Sequence, residues 1–153
     1  METIASFTVN HDTLKRGMYI SRIDGDVITY DVRMKVPNAG DYLPNAALHT
    51  LEHLLATYAR NSRWGRQVIY VGPMGCRTGF YFVLRDTISS ADALHLVQES
   101  FAFAAGFDGP IPGAQSSREC GNYLEHDLPG ARAAAQEQCD VLANWNEERM
   151  HYE

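Results

Sequence analysis

A chain of 153 residues with a formal net charge of −6 is long enough for one domain with a sizeable core, and its acidic balance argues against a nucleic-acid or anionic-membrane partner. It holds no basic run, low-complexity tract or internal repeat, and its start lacks the basic-then-apolar pattern of a signal peptide. No apolar run is long enough to span a bilayer, so a single cytoplasmic domain over residues 1–153 is expected.

In chain order, Ser6 to Val9 reads as a short strand, followed by polar Asn10-His11-Asp12. Met18 to Ile23 reads as a second strand, and Asp24-Gly25 supplies a hairpin turn. On the return strand Ile28, Tyr30, Val32, Met34 and Val36 alternate with Thr29, Asp31, Arg33 and Lys35, giving one apolar and one polar face, and Pro37 ends it. Asn45 is a candidate N-cap for a helix running to about Asn61, before Gly65. Gln67 to Val71 and Gly79 to Leu84 are two more predicted strands, joined by a tight turn over residues 72–78 with Cys76 at its apex. Ser89 or Ser90 caps a second helix, about Ala91 to Ala105. A loop marked by Gly106, Pro110, Pro112 and Gly113 then leads to Glu119-Cys120-Gly121. Pro129 suits the first turn of a third helix running to about Trp145, and the polar tail beyond it is expected to fray. Hairpin strands with separate helices predict an α+β fold: a mostly antiparallel sheet of four to five strands with helices packed on one face.

Chemistry concentrates in His49-Thr50-Leu51-Glu52-His53. At about 100° per residue, His49 and His53 stand one turn apart on one helix face, and Glu52 falls in the same sector. Two imidazoles at this spacing grip one cation from a rigid backbone, and a neighbouring carboxylate moves protons for whatever that cation polarises. Without a metal, the same stretch is an amphipathic helix with Leu51, Leu54, Leu55 and Tyr58 in the core and a wet His/Glu face. A catalytic site of this kind needs a third protein ligand and one open position. The three cysteines, Cys76, Cys120 and Cys139, cannot all pair within one chain, and in a reducing compartment ligand or catalytic roles fit better than disulfides. Cys139, inside the third helix beside Val141 and Leu142, reads as a small buried side chain. Cys76 and Cys120 both lie in glycine-flanked loops, and spacing does not decide which is the ligand.

Ser6-Phe7 with His11, Tyr30-Asp31-Val32-Arg33, the run from His49 to Ala56, Pro73 to Tyr81 with Cys76 inside it, and Glu119-Cys120-Gly121-Asn122-Tyr123 come in this order. Together they resemble the S-ribosylhomocysteine lyase (LuxS) family, over nearly the whole chain. The resemblance implies metal ligands at His49, His53 and Cys120 with water in the fourth position, an acid/base pair at Glu52 and Cys76, and substrate contacts at Ser6, His11 and Arg33. It implies one divalent metal per subunit, usually iron(II) and often replaced by zinc or cobalt, and a homodimer with its sites at the subunit interface. It also implies the reaction: carbonyl migration along an opened ribose, then β-elimination of homocysteine. The other product is 4,5-dihydroxy-2,3-pentanedione, precursor of the autoinducer-2 signal. One departure stands out: the family commonly has Asp-x-Ser before Pro-Met-Gly-Cys, and this chain has Tyr70-Val71-Gly72.

Two other readings of the motif remain. A metallopeptidase of the H-x-x-E-H type shares Glu52 and the paired histidines, and takes a downstream glutamate such as Glu119 or Glu125 as third ligand. A non-catalytic, metal-stabilised binding module needs a site closed by four protein ligands.

Overall fold

The computed structural model describes all residues, 1–153. Four strands, β1 (Gly17–Asp24), β2 (Val27–Arg33), β3 (Val68–Pro73) and β4 (Gly79–Arg85), form one antiparallel sheet in the order β1-β2-β4-β3. Register follows the pleat: Tyr30 lies opposite Phe82 and Val32 opposite Phe80, so the apolar residues of both strands share one face. Three helices cover that face: α1 (Asn45–Asn61), α2 (Ser90–Gly106) and α3 (Leu128–Leu142). Leu51, Leu54, Leu55, Leu96, Val97, Phe101, Ala131, Ala135 and Leu142 meet Met18, Tyr30, Val32, Phe80, Phe82 and Leu84 in one fully buried core. The chain adopts the predicted α+β class, and of the expected four to five strands it forms four, all antiparallel.

Helix starts follow local chemistry in two cases. Ser89 caps α2 by accepting the Asp92 N–H, and Asp127 caps α3 by accepting the Gly130 N–H. At α1 the expectation fails: Asn45 is the first helical residue, Pro44 occupies the cap position, and no side chain caps that end. Proline already supplies the extended backbone that a helix entry needs, so a polar cap is not required to turn the chain.

Three further expectations are corrected. Residues 5–7 form a 3₁₀ turn rather than a strand, closed by local bonds from the Phe7 N–H to Ile4 O at 3.0 Å and from the Thr8 N–H to Ala5 O at 3.1 Å. β2 ends at Arg33, because the Met34 and Lys35 N–H groups both turn onto the single Thr78 carbonyl, at 2.8 and 3.0 Å, and leave the ladder. The C-terminal tail is ordered rather than frayed. The Trp145 indole N–H donates to the Met18 carbonyl at 2.9 Å, and the Ile20 N–H donates to Met150 O at 2.8 Å, so the tail pairs with the free edge of β1. Gly17 makes this possible: a Cβ there would lie 2.2 Å from the Trp145 ring.

The second face of the sheet carries Tyr19, Asp31 and Arg33. Asp31 and Arg33 are buried, 1% and 2% exposed, where the sequence pattern places solvent. The tail covers them, with the Tyr152 ring stacked on Tyr19 at 5.2 Å.

Candidate metal centre and its surroundings

His49 and His53 leave α1 towards the long loop between α2 and α3. That loop fixes both rings. His49 Nδ1–H donates to Glu125 O at 2.8 Å, and His53 Nδ1–H donates to Pro112 O at 2.7 Å. A carbonyl only accepts, so in each neutral ring the proton sits on Nδ1 and Nε2 carries the lone pair. The two Nε2 atoms stand 3.1 Å apart, and Cys120 Sγ lies 3.3 Å from His49 Nε2. Lone pairs converging this closely repel unless a cation lies between them. The spacing approximates the edge of a metal tetrahedron, about 3.3 Å for nitrogen ligands near 2.05 Å from the ion. Asn122 N–H points at Cys120 Sγ, at 3.4 Å, as suits a sulfur carrying negative charge. The donor set thus fits a borderline or soft divalent ion of the iron, cobalt or zinc kind.

His126 is not among the residues the sequence singles out. It belongs to this cluster: one of its ring nitrogens lies within 4.8 Å of the donors of His49, His53 and Cys120. Its ring stacks on His49 with centroids 4.0 Å apart. Thr50, fully buried in α1, holds it. The Thr50 hydroxyl donates to Ala46 O and accepts both the Asp127 N–H and His126 Nδ1–H, each at 2.9 Å. His126 Nε2 is then a buried lone pair with no hydrogen-bond partner. Burial, with His49 and His53 beside it, holds the ring below the usual histidine range and so neutral. The available signal was Thr50 itself, a polar residue on the core side of an otherwise apolar helix stripe.

Of the cluster, His49 lines a shallow pocket of about 300 Å³, together with Asn45, Leu48, Glu52, Pro73, Asn122 and Glu125. Glu52 therefore shares the pocket with His49. Cys76 stands at the apex of the β3–β4 turn, just beyond Pro73, and is exposed. Arg77 next to it adopts φ +62°, a left-handed backbone held by Leu43, whose N–H donates to Arg77 O at 2.9 Å. Cys76 Sγ lies 3.0 Å from Thr78 Oγ1, which accepts from Arg33 Nη1 at 2.7 Å. Cys139 is half-buried in α3, where burial and Asp140 raise its thiol above the ordinary range, matching the inert reading.

Arg33 is no solvated surface charge. Its guanidinium makes a two-pronged pair with Asp31, at 3.1 and 2.6 Å, and that pair outweighs burial to hold it charged. Ser6 and His11 are not brought to the pocket. Ser6 lies in the 3₁₀ turn, and His11 Nδ1 is satisfied by Val9 O at 2.9 Å. At the departure from the family pattern, the exposed Tyr70 ring lies over Gly72, filling the space a Cβ there would take.

Fold and site together define a small α+β protein in which His49, His53, Cys120 and His126 cluster closely enough to hold a cation, with Glu52 and His49 lining a pocket. Comparison places it more narrowly. The S-ribosylhomocysteinase (LuxS) family matches residues 4–149, and the chain belongs to that family. Proteins named S-ribosylhomocysteine lyase from Phocaeicola vulgatus and Clostridium acetobutylicum are each 46% identical to it, over 158 and 157 residues. One of the same name from Desulfotalea psychrophila is 48% identical over 158 residues. Each alignment spans 99% of this chain and 98–99% of the relative.

Proposed function

We propose that this chain is an S-ribosylhomocysteine lyase, acting as one domain over residues 1–153. The observation that carries the reading is the convergence of His49 Nε2, His53 Nε2 and Cys120 Sγ beside a pocket that holds Glu52. His49, His53 and Cys120 would hold the ion, one divalent metal per subunit, with iron(II) the proposed cellular occupant and zinc or cobalt as substitutes. The ion supplies Lewis-acid stabilisation of negative charge on the substrate's oxygens. The chain's own residues move the protons. Glu52 and Cys76 take a proton from a carbon next to the carbonyl and return one to its neighbour. The carbonyl thereby migrates until it lies β to the thioether. Loss of the next proton then breaks the carbon–sulfur bond. Homocysteine leaves as a thiol, with 4,5-dihydroxy-2,3-pentanedione as the other product.

Ser6, His11 and Arg33 are proposed substrate contacts. Since Ser6 and His11 lie off the pocket of their own chain, we assign them to the partner's site in a homodimer. Ile4 and Phe7, which flank Ser6, are 53% and 74% exposed and suit cover by a second subunit. No helix is long and apolar enough to cross a membrane, and the proposed location is the cytoplasm.

The peptidase reading is not favoured. The cluster offers no carboxylate, Glu119 is engaged with the Gln115 N–H at 2.8 Å, and Glu125 turns its carboxylate to Asn122. A closed structural site is disfavoured by the open pocket at His49. Carbon-13 labelled substrate followed by NMR tests the proposal. Carbonyl migration and then loss of the thioether carbon signal are expected; unchanged substrate after incubation with metal-loaded protein contradicts it.

A further inference from the structure

The buried second face of the sheet contains a hydrogen-bonded chain that starts in the C-terminal tail and ends at the Cys76 sulfur. Tyr152 OH donates to Asp31 Oδ2 at 2.7 Å. Asp31 accepts both prongs of Arg33, and Arg33 Nη1 donates to Thr78 Oγ1. Thr78 Oγ1 in turn lies 3.0 Å from Cys76 Sγ. A guanidinium cannot accept, so Thr78 must receive from Arg33, which leaves the threonine's own hydrogen for the sulfur. Asp31, Arg33 and Thr78 are all 2% exposed or less, so water does not screen the links.

We propose that Tyr152 is a positioning residue for Cys76: its hydroxyl holds Asp31, which holds Arg33, which through Thr78 directs a hydrogen bond at the Cys76 sulfur. The inference rests on the assignment of Cys76 to proton transfer. Asp31 has three donors, two from Arg33 and one from Tyr152. Without the tyrosine hydroxyl, the buried carboxylate keeps only Arg33. The guanidinium is drawn towards Asp31 and away from Thr78, and the sulfur loses part of its stabilisation as an anion. Burial, and Asp31 beside it, push the Tyr152 phenol well above its ordinary range, so its hydrogen stays in place. The other titratable and charged groups facing this region are Tyr81 from β4, Tyr19 from β1, and Arg149 and Glu153 from the tail.

Tyr152→Phe removes the hydroxyl and keeps the ring stacked on Tyr19. The reading is the rate of Cys76 alkylation by iodoacetamide against pH, on metal-loaded protein without substrate. Peptide mapping separates Cys76 from Cys139. The whole curve is expected to move to higher pH by about half a unit, about threefold in rate on its rising limb. Metal content and melting profile should be unchanged. Thr78→Val, which cuts the chain next to the sulfur, should shift the curve at least as far, and Thr78→Ser should restore it. Should Tyr152→Phe destabilise the tail, a chain ending at His151 gives the same reading. A Tyr152→Phe curve superimposed on the unaltered protein's overturns the proposal, whatever Thr78→Val does. The assay uses no substrate, so it stands apart from the lyase assignment, which Cys76→Ala turnover tests on its own.

Discussion

Thr50 is the residue on which the order of the ligand loop turns, and its replacement by valine tests that role. Valine keeps the shape and fills the same fully buried space. It removes the oxygen that accepts the Asp127 N–H and the His126 Nδ1–H, each at 2.9 Å. Two buried donors left without partners cost about 1–3 kcal/mol each. The added methyl returns about 0.8 kcal/mol, so a net loss of about 1–5 kcal/mol is expected. In a domain near 150 residues that lowers the melting temperature by about 2–20 °C. Thermal melts of metal-free protein at one fixed concentration measure it. The same donors tether residues 120–127, so cobalt titration should show weakened metal binding. Thr50→Ser keeps the oxygen and should recover most of both losses. A Thr50→Val protein that melts within about 2 °C of the parent and binds cobalt as tightly refutes the reasoning.

His49→Ala, His53→Ala and Cys120→Ala should each lose most of the metal, as elemental analysis of the purified variants would show; full metal content in Cys120→Ala sinks the ligand assignment. Glu52→Gln and Cys76→Ala should fold and keep their metal yet lose at least ~100-fold in turnover, and loss of metal from Cys76→Ala would mean the two cysteines are misassigned. Light scattering should give about twice the chain mass of 17.1 kDa; a fully active monomer contradicts the dimer. Stability should fall at alkaline pH. Burial raises the phenols of Tyr19, Tyr30 and Tyr152 in the folded state, so their contribution is complete below the unfolded value of about 10 and is lost as pH rises above it. Urea midpoints between pH 8 and 11 test this, and a midpoint that stays flat to pH 11 refutes it.

Local pattern carried much of the fold. The alternation of Ile28, Tyr30 and Val32 with Thr29, Asp31 and Arg33 placed β2, and the spacing of Leu51, Leu54 and Leu55 placed α1 with its paired histidines on one face. What escaped depends on contacts distant in sequence. The polar face of β2 looks solvated because the tail that buries Asp31 and Arg33 arrives about 120 residues later. The tail itself looks polar, and its order comes from the edge of β1 and the gap at Gly17. Spacing could not separate Cys76 from Cys120; in the fold Cys120 lies 3.3 Å from His49 and Cys76 lies 3.0 Å from Thr78. His126 carried no helical or strand period to mark it, and only the fold of the loop onto Thr50 brings it beside His49.

The most direct test of the lyase assignment is release of free thiol when purified, iron(II)-loaded protein is incubated without oxygen with S-ribosylhomocysteine. One homocysteine thiol per substrate consumed is expected, with release abolished by chelation of the metal and by Cys120→Ala. Absence of new thiol from fully loaded, dimeric protein would contradict the assignment.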